Sequence, residues 1–442
     1  MPRVDSRGRL DLVTWRSAMS RRPLVTAVLA TAVLTMLSAC TTTAGPSVSE
    51  TTTQPAISSV QEPTMPNTAR STPMPSPAAQ ARLDQQLRDA AWADDVTLAA
   101  DLIGRGADVN AKDDTVQSAY LIATSEGYLD LLRLTLAHGA KVDDKDSWNG
   151  TGLIRAAERG HGDVVGQLLQ AGIDRDHVNR IGYQAIHEAV WLGEDTAEYA
   201  TTVRVLVAGG VQIDRPSGNE GLTPSEMARE RRFSGLESVL RAAQSAPPAD
   251  PGTALLAAAE AGDANAAAVA LRAGAKLEVR DDQQRTPLMR AVLGDHVAVA
   301  HLLVALGADP DALDYRKDTP WVMTGVTGSV AMLEALLPGQ PDLKIPNRYG
   351  GTPVHPAAER GHVDYIRRVV ELPIDLNKVN GSGWTALLEA VVLNDGGPAQ
   401  QEIVKILLAH GADPAIRDAQ GRTVLDNARR LGYREIVKIL GG

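Results

Sequence analysis

Apolar positions recur along most of this chain in blocks of about 33 residues, and each block holds two short apolar runs. The second run is the more apolar, as in residues 164–169 and 403–408. Its apolar residues recur at helical spacing, and a glycine or asparagine usually separates it from the first run. Each block therefore predicts a pair of short helices, which bury their apolar faces by stacking on the neighbouring block.

Polar residues mark the start of each block at a constant interval. A threonine usually stands five residues after the Asp or Asn that opens a block, and the first helix should begin there. The threonine hydroxyl can cap a helix, and the proline that often follows fits the first helical position. Examples are Thr286-Pro287 and Thr319-Pro320. An Asp or Asn opens the blocks, and the steps within two series are all 33 residues: Asp113, Asp146 and Asn179, then Asp281, Asp314, Asn347 and Asn380. Such residues suit a tight hairpin turn before the helix.

The period and these motifs resemble those of ankyrin repeats. One full unit opens at Asn347 and contains Thr352-Pro353-Val354-His355, and the resemblance covers about residues 83–442. It implies an all-α repeat solenoid of helix–turn–helix units with β-hairpin loops, here about eleven repeats. It also implies that histidines in this motif, His187 and His355, hydrogen-bond between units, and that the protein binds proteins without catalysis.

A proline-rich segment interrupts the blocks at residues 245–251. Its three prolines cannot continue a helix, so it divides the blocks into two groups. The two groups look duplicated, since residues 189–210 and 390–411 align without a gap and each carries five extra residues. We predict two abutting arrays; one continuous superhelix is the alternative. The predicted boundaries are a signal peptide at 1–39, a tether at 40–82, a first array at 83–244, a linker at 245–250 and a second array at 251–442.

The N-terminal segment has the layout of a secretory signal. Arg21 and Arg22 precede an uncharged run that ends in the sequence LSAC at Cys40. This ending resembles the lipobox of bacterial lipoproteins, which implies that Cys40, the only cysteine of the chain, is lipidated and becomes the first mature residue. The alternative is a plain signal anchor with an incidental cysteine, although the apolar run is short for a membrane span. Translation starts at Met1 or at Met19.

The stretch after Cys40 is rich in Thr, Ser and Pro and holds few large apolar residues. Such a composition cannot bury enough surface to offset the entropy of ordering, so we predict a flexible tether. Together with the lipobox, it predicts a protein anchored by lipid to a cell membrane on the extracytoplasmic side.

Charge and motif content exclude several classes of function. Beyond residue 40 the chain holds 38 basic and 52 acidic residues and no basic patch, so nucleic acid is not an expected partner. The nine histidines show no metal-ligand spacing, and neither a zinc-protease motif nor a nucleophile elbow nor a phosphate-binding loop is present. We therefore expect no catalytic residue, no metal site and no cofactor.

Aromatic residues are concentrated at the predicted hairpin tips. Of fourteen aromatic residues beyond residue 40, five lie in the four positions before the threonine slot, and three arginines accompany them. Aromatic residues and arginine contribute most of the energy at protein interfaces. The alternative is that each ring packs on the adjoining hairpin. The candidate protein-binding residues are Trp148, Arg180, Tyr183, Tyr315, Arg316, Arg348, Tyr349 and Trp384.

These observations favour a non-catalytic scaffold that binds a protein and is tethered to the outer face of a bacterial membrane through Cys40. Two alternatives remain open. One is an inhibitor or immunity-type protein directed at a toxin or hydrolase. The other is an enzyme or small-ligand receptor that uses a groove between the arrays, which would need a cluster of polar residues that the sequence does not offer.

Overall fold

The computed structural model describes residues 76–442, so the predicted signal peptide, Cys40 and nearly all of the predicted tether lie outside the described residues. The described part folds into eleven successive helix pairs. In the first array the helices are α1 Pro77–Trp92, α2 Val96–Gly104, α3 Ala119–Glu126, α4 Leu129–Ala137, α5 Gly152–Glu158, α6 Gly162–Gln170, α7 Ala185–Trp191, α8 Ala197–Ala208, α9 Pro224–Arg231 and α10 Ser234–Ala243.

The second array continues the same arrangement. Its helices are α11 Pro251–Ala261, α12 Ala264–Arg272, α13 Pro287–Leu293, α14 Val297–Ala305, α15 Pro320–Thr327, α16 Val330–Leu336, α17 Val354–Arg360, α18 Val363–Val369, α19 Ala386–Val392, α20 Pro398–Ala409, α21 Val424–Leu431 and α22 Arg434–Ile439, with a 3-10 turn at Leu337–Gly339. The predicted all-α repeat solenoid of about eleven units is confirmed. In the described residues the hairpin loops form turns and one isolated β-bridge, between Lys145 and Thr151.

Most first helices begin at the predicted capping residue. The Thr319 hydroxyl accepts a hydrogen bond from the Val322 amide at 3.1 Å, and Pro320 takes the first helical position. Thr286 caps α13 in the same way. The same helix α15 ends at Gly328, whose φ of 72° is the left-handed conformation that glycine adopts most readily. Helix α1 begins at Pro77, earlier than the predicted array boundary at residue 83, because Ser76 caps it.

Neighbouring units stack first helix on first helix and second helix on second helix, except at the connection between the arrays. Helices α9 and α11 lie on either side of that connection and do not pack together as the other neighbouring first helices do. Second helices continue across it, since α10 packs on α12. The first helices thus form two separate stacks.

Beyond the connection the second array folds back along the first, through their second helices. Helix α8 packs on α12 and α14, and α6 packs on α14. We call this contact the seam. Helix α14 has no separate polar face, His301 being its one polar residue, and six of its nine residues are buried: Val299, Ala300, Leu302, Leu303, Val304 and Ala305.

Polar contacts also cross the seam. The Gln170 side-chain amide donates to the Ala305 carbonyl at 2.9 Å, and the Arg204 guanidinium donates to the Asn265 side chain at 2.8 Å. His301 Nε2 lies 2.9 Å from a carboxylate oxygen of Asp163, and this hydrogen bond raises the pKa of His301. The seam therefore joins the arrays through both apolar packing and specific hydrogen bonds. Over residues 76–442, no helix combines the length and apolar character needed to cross a membrane.

Candidate functional site

Hydrogen bonds between successive hairpins set the hairpin tips side by side. The Tyr315 amide donates to the Gln283 carbonyl at 3.1 Å, and the Gly381 amide donates to the Tyr349 carbonyl at 2.7 Å. In the first array the Arg180 amide donates to the Trp148 carbonyl at 3.1 Å. Residues one repeat apart in sequence consequently lie next to each other along one edge.

In the second array this edge and the first helices enclose a groove of about 440 Å³. Helices α13, α15, α17 and α19 supply one wall, and the hairpins before them supply the other. Tyr315 and Tyr349 line it and are 59% and 60% exposed, and Leu293 and Leu393 in the same groove are also exposed. These four side chains give the groove an apolar surface open to solvent.

Five of the predicted binding residues line this one groove: Tyr315, Arg316, Arg348, Tyr349 and Trp384. The Arg348 guanidinium forms an ion pair with Asp318 and lies over the Tyr349 ring, 4.5 Å from its centroid. Arg316 is exposed, whereas Trp384 is half-buried and packs against the core. The structure thus brings the second-array candidates together, and all of them except Trp384 are exposed.

The three candidates in the first array lie apart from this groove, and one of them is not a surface residue. Tyr183 is fully buried and stacks on His187, with 6.0 Å between ring centroids. Its ring packs inside the repeat against His187, so the expectation that Tyr183 binds a partner is wrong. Trp148 is half-buried, and Arg180 is exposed.

Buried polar pairs inside the repeats were missed by the sequence reasoning. In each pair, the residue that opens the hairpin binds the residue nine positions later on the first helix. The signal that could have revealed them is a hydrogen-bonding or oppositely charged partner at that offset. The pairs are Asp146–Arg155, Asn179–Glu188, Asp281–Arg290, Asn380–Glu389 and Asp418–Asn427. An aspartate is matched with a cation or an amide, and an asparagine with a glutamate.

The pair Asn380–Glu389 is the one of this set that lines the groove, through both of its residues. Burial and the nearby Glu359 carboxylate raise its pKa to about 7, against the opposing effect of the Asn380 hydrogen bond. Asn380 Nδ2 donates to Oε1 at 2.6 Å, whereas Oε2 is buried and has no hydrogen-bond partner. In Asp281, by contrast, hydrogen bonds from Arg285 and Arg290 outweigh burial and lower the pKa to about 2. Glu389 is therefore a buried acid with one oxygen unused.

The histidines of the helix-start motif connect neighbouring units, as the resemblance implied. The Gln184 amide donates to His187 Nδ1, so Nε2 carries the proton and donates to the Arg215 carbonyl at 2.9 Å. His355 reaches the Lys378 carbonyl at 3.1 Å in the same manner. Burial lowers the pKa of His187 and of His355. Within residues 76–442, no group of His, Cys, Asp and Glu side chains is arranged to hold a metal ion.

Comparison with known proteins agrees with this architecture. The family described as ankyrin repeats (3 copies) matches residues 87–179, 120–217, 232–314 and 323–418. The putative ankyrin repeat protein YahD of Escherichia coli strain K12 is 37% identical over 186 residues, which cover 42% of this chain and 92% of that protein. The B-cell lymphoma 3 protein homolog of Mus musculus is 30% identical over 170 residues, covering 37% of each.

Among solved structures, an ankyrin repeat domain from Acinetobacter baumannii AYE is 41% identical, with a TM-score of 0.41. The match covers 42% of this chain and 95% of the Acinetobacter chain. The family match spans most of the described residues, and the relative from Escherichia coli is matched over nearly its full length. This chain belongs to the ankyrin-repeat family.

Proposed function

We propose that this chain is a non-catalytic scaffold that binds a protein partner in the groove of its second array. The observation that carries the proposal is the pair of exposed tyrosines, Tyr315 and Tyr349, on adjacent hairpins of that groove. Ankyrin repeats generally mediate binding between proteins, and the family match covers both arrays.

The groove has the composition of an interface centre. Large aromatic rings bury much apolar area with little loss of conformational entropy, and arginine adds hydrogen-bond donors, so both are enriched at binding hot spots. Tyr315 and Tyr349 bury less than half of their surface in the fold, so most of each ring is available to a partner. Arg348, stacked on Tyr349 and paired with Asp318, holds that ring in place before a partner arrives.

The test compares Tyr349→Ala and Tyr315→Ala with the wild type. Each substitution should weaken binding of a captured partner by on the order of 2 kcal/mol, because a central aromatic anchor is lost. The free energy of unfolding should change by about 0.5 kcal/mol or less, as is usual at surface positions. Calorimetric titration and thermal unfolding measure both quantities on the same variants.

The matched control is Trp92→Ala, since Trp92 is 39% exposed and lies in the first array, outside the groove. It should leave affinity unchanged. Equal binding by the wild type and both tyrosine variants, with a lowered melting temperature, would show that the rings are packing residues and that the groove is not the binding surface.

We also propose that Cys40 carries a lipid that anchors the scaffold to the outer face of a bacterial membrane. The support is the sequence ending LSAC after an uncharged run, followed by the Thr/Ser/Pro-rich stretch. A tether of this kind would span on the order of 35 Å as a coil. The repeats would then bind partners close to the membrane surface.

Replacing the anchor residue tests this part. Cys40→Ser should abolish incorporation of labelled fatty acid and release the repeats from the membrane fraction. Ser38→Ala is the control, since a small residue at that position keeps the lipobox. A Cys40→Ser protein that is still processed and labelled would exclude Cys40 as the anchor.

A further inference from the structure

One ion pair joins the two arrays across the seam. Among residues 76–442 it is the only ion pair between the arrays, and it links His301 of α14 to Asp163 of α6, with 2.9 Å between Nε2 and Oδ1. Other polar contacts of the seam join a side chain to a neutral group: Gln170 to the Ala305 carbonyl, Arg204 to Asn265, Arg272 to the Val207 and Val211 carbonyls, and Arg133 to the Pro338 carbonyl. Histidine is the side chain whose ordinary pKa, about 6.5, lies between pH 5 and 8, so the charge of this ion pair depends on pH.

The two side chains of the pair are partly shielded from water, His301 being 35% exposed and Asp163 29% exposed. Asp163 lies in the first turn of α6, where the free backbone amides favour a negative charge. His301 is the one polar residue of α14, so it supplies the only charge that this helix can present to the first array. The attraction between the arrays at this point is therefore controlled by a single proton.

The other charged groups around α14 have partners of their own. Helices α6, α8, α12, α13 and α16 pack on α14, together with the 3-10 turn, which holds no charged residue. The remaining titratable residues of these helices, with those that cap α12 and α14, bind as follows: Glu198 to Thr196, Tyr199 to the Glu158 carbonyl, Arg204 to Asn265, Asp263 to the Ala266 amide, Arg272 to the Val207 and Val211 carbonyls, Arg290 to Asp281 and Glu260, His296 to the Glu260 carbonyl, and Glu334 to Arg368. The hydrogen bond from Asp163 outweighs burial and raises the pKa of His301 above its ordinary value.

We propose that the seam is a pH-responsive joint, which holds the two arrays together more tightly when His301 is protonated. In that state a positive imidazolium faces the Asp163 carboxylate from the opposite array. After loss of the proton from Nδ1, the Nε2–H group can still donate to Asp163, but the attraction between opposite charges is gone. The inference is independent of the proposed binding groove.

The direction of the effect follows from the raised pKa of His301 in the folded chain. The stabilisation is fully present below about pH 6.5, the ordinary pKa of histidine, and is lost as the pH rises through the higher pKa of the folded state. The apolar contacts of the seam do not titrate. A rise in pH therefore loosens the contact between the arrays without separating them.

Hydrogen exchange of the full chain, followed by mass spectrometry at about pH 5.5 and about pH 8, measures how often the seam opens. After correction for the intrinsic effect of pH on exchange, the amides of α6 and α14 in the wild type should be about two- to fivefold better protected at the lower pH, as expected of a partly exposed ion pair. Helices α21 and α22, which lie outside the seam, serve as the internal reference.

His301→Gln keeps a side-chain N–H that can donate to Asp163 and removes the titration, so it should abolish this difference. The matched control is His410→Gln, because His410 lies outside the seam and binds the Ile406 carbonyl of its own helix. It should leave the pH dependence of the seam as in the wild type.

A titration of the wild type by NMR keeps the test decisive if His301→Gln does not fold. The imidazole of His301 should titrate above about pH 6.5, and Asp163→Asn should bring its pKa below that value, because burial then acts alone. A His301 pKa at or below 6.5 in the wild type would overturn the inference. Equal pH dependence of seam protection in the wild type and in His301→Gln would overturn it as well.

Discussion

At the residue scale, the hairpins are attached to the first helices by complementary polar pairs nine residues apart. Asp281 and Asn380 bind their own turn in the same way, accepting two backbone amides each through Oδ1. They differ in the other terminal atom of the side chain. Asp281 Oδ2 accepts a hydrogen bond from Arg290, whereas Asn380 Nδ2 donates one to Glu389. The two members of a pair therefore have to change together.

A double substitution tests this coupling. Asn380→Asp keeps the turn hydrogen bonds but replaces the donor to Glu389 with a second carboxylate, so we expect it to lower the free energy of unfolding by about 2–3 kcal/mol. Adding Glu389→Arg recreates the Asp281–Arg290 pair and should recover most of that loss. Urea unfolding of the two single variants and the double variant measures the coupling. A double variant no more stable than the sum of its parts would show that the pair does not act as a unit.

At the scale of helices and turns, the local features followed from the sequence and the long-range contacts did not. Thr319, Pro320 and Gly328 act through atoms within one turn of the chain, so their types were enough to predict where α15 begins and ends. Tyr183 looked like the other hairpin aromatics, but its ring direction depends on the fold of its hairpin and on His187. Pattern alone does not encode that direction.

The groove was predicted in part. The 33-residue repeat was enough to place Tyr315, Tyr349 and their neighbouring arginines along one edge, since they lie in successive hairpins. Glu389 was not singled out, because its burial and the lack of a partner for its Oε2 depend on how the helices pack. The seam was not predicted either, although the lack of a polar face on α14 was a signal for it.

Helix α6 approaches the second array so closely at Gly166 that no side chain fits there. A Cβ at this position would lie 2.0 Å from the Ala305 carbonyl oxygen, and the backbone on both sides would have to move. Gly166→Ala should therefore lower the free energy of unfolding by about 1–3 kcal/mol, as overpacking typically does. Thermal unfolding measures the effect.

Gly162→Ala on the same helix is the control, since its Cβ would meet the nearest atom of the neighbouring helix at 3.4 Å, an ordinary contact. It should be neutral or slightly stabilising, because alanine restricts the unfolded chain more than glycine does. Equal effects of the two substitutions would mean that the seam at Gly166 is looser than the structure indicates.

At the scale of the whole molecule, the seam makes the two arrays dependent on each other. Helices α6, α8, α12 and α14 are apolar on faces that a separate array would leave in water. Polar groups such as Gln170 and Arg204 would lose their partners as well. The predicted boundaries at residues 244 and 251 stay a prediction. A test of them has to allow for the seam, because each separate array exposes its apolar seam face to water.

Two fragments, residues 76–246 and 247–442, provide that test. If each array folds alone, the fragments should associate into a 1:1 complex when mixed, because the exposed faces of the seam are complementary. Analytical ultracentrifugation of each fragment and of the mixture detects the complex. Gly166→Leu in the first fragment should prevent association without unfolding that fragment. Two folded fragments that do not associate when mixed would show that the seam contributes little to assembly.

Because the seam occupies the second helices, it leaves the length of the binding surface free to change during evolution. The helix packing of the seam comes from α6 and α8 on one side and from α12 and α14 on the other. In addition, Arg133 of α4 donates to the Pro338 carbonyl in the 3-10 turn. Units from α17 onward take no part in those contacts, yet α17 and α19 form one end of the groove. Duplication or loss of a unit in that region would lengthen or shorten the groove one hairpin at a time while the join between the arrays is inherited unchanged.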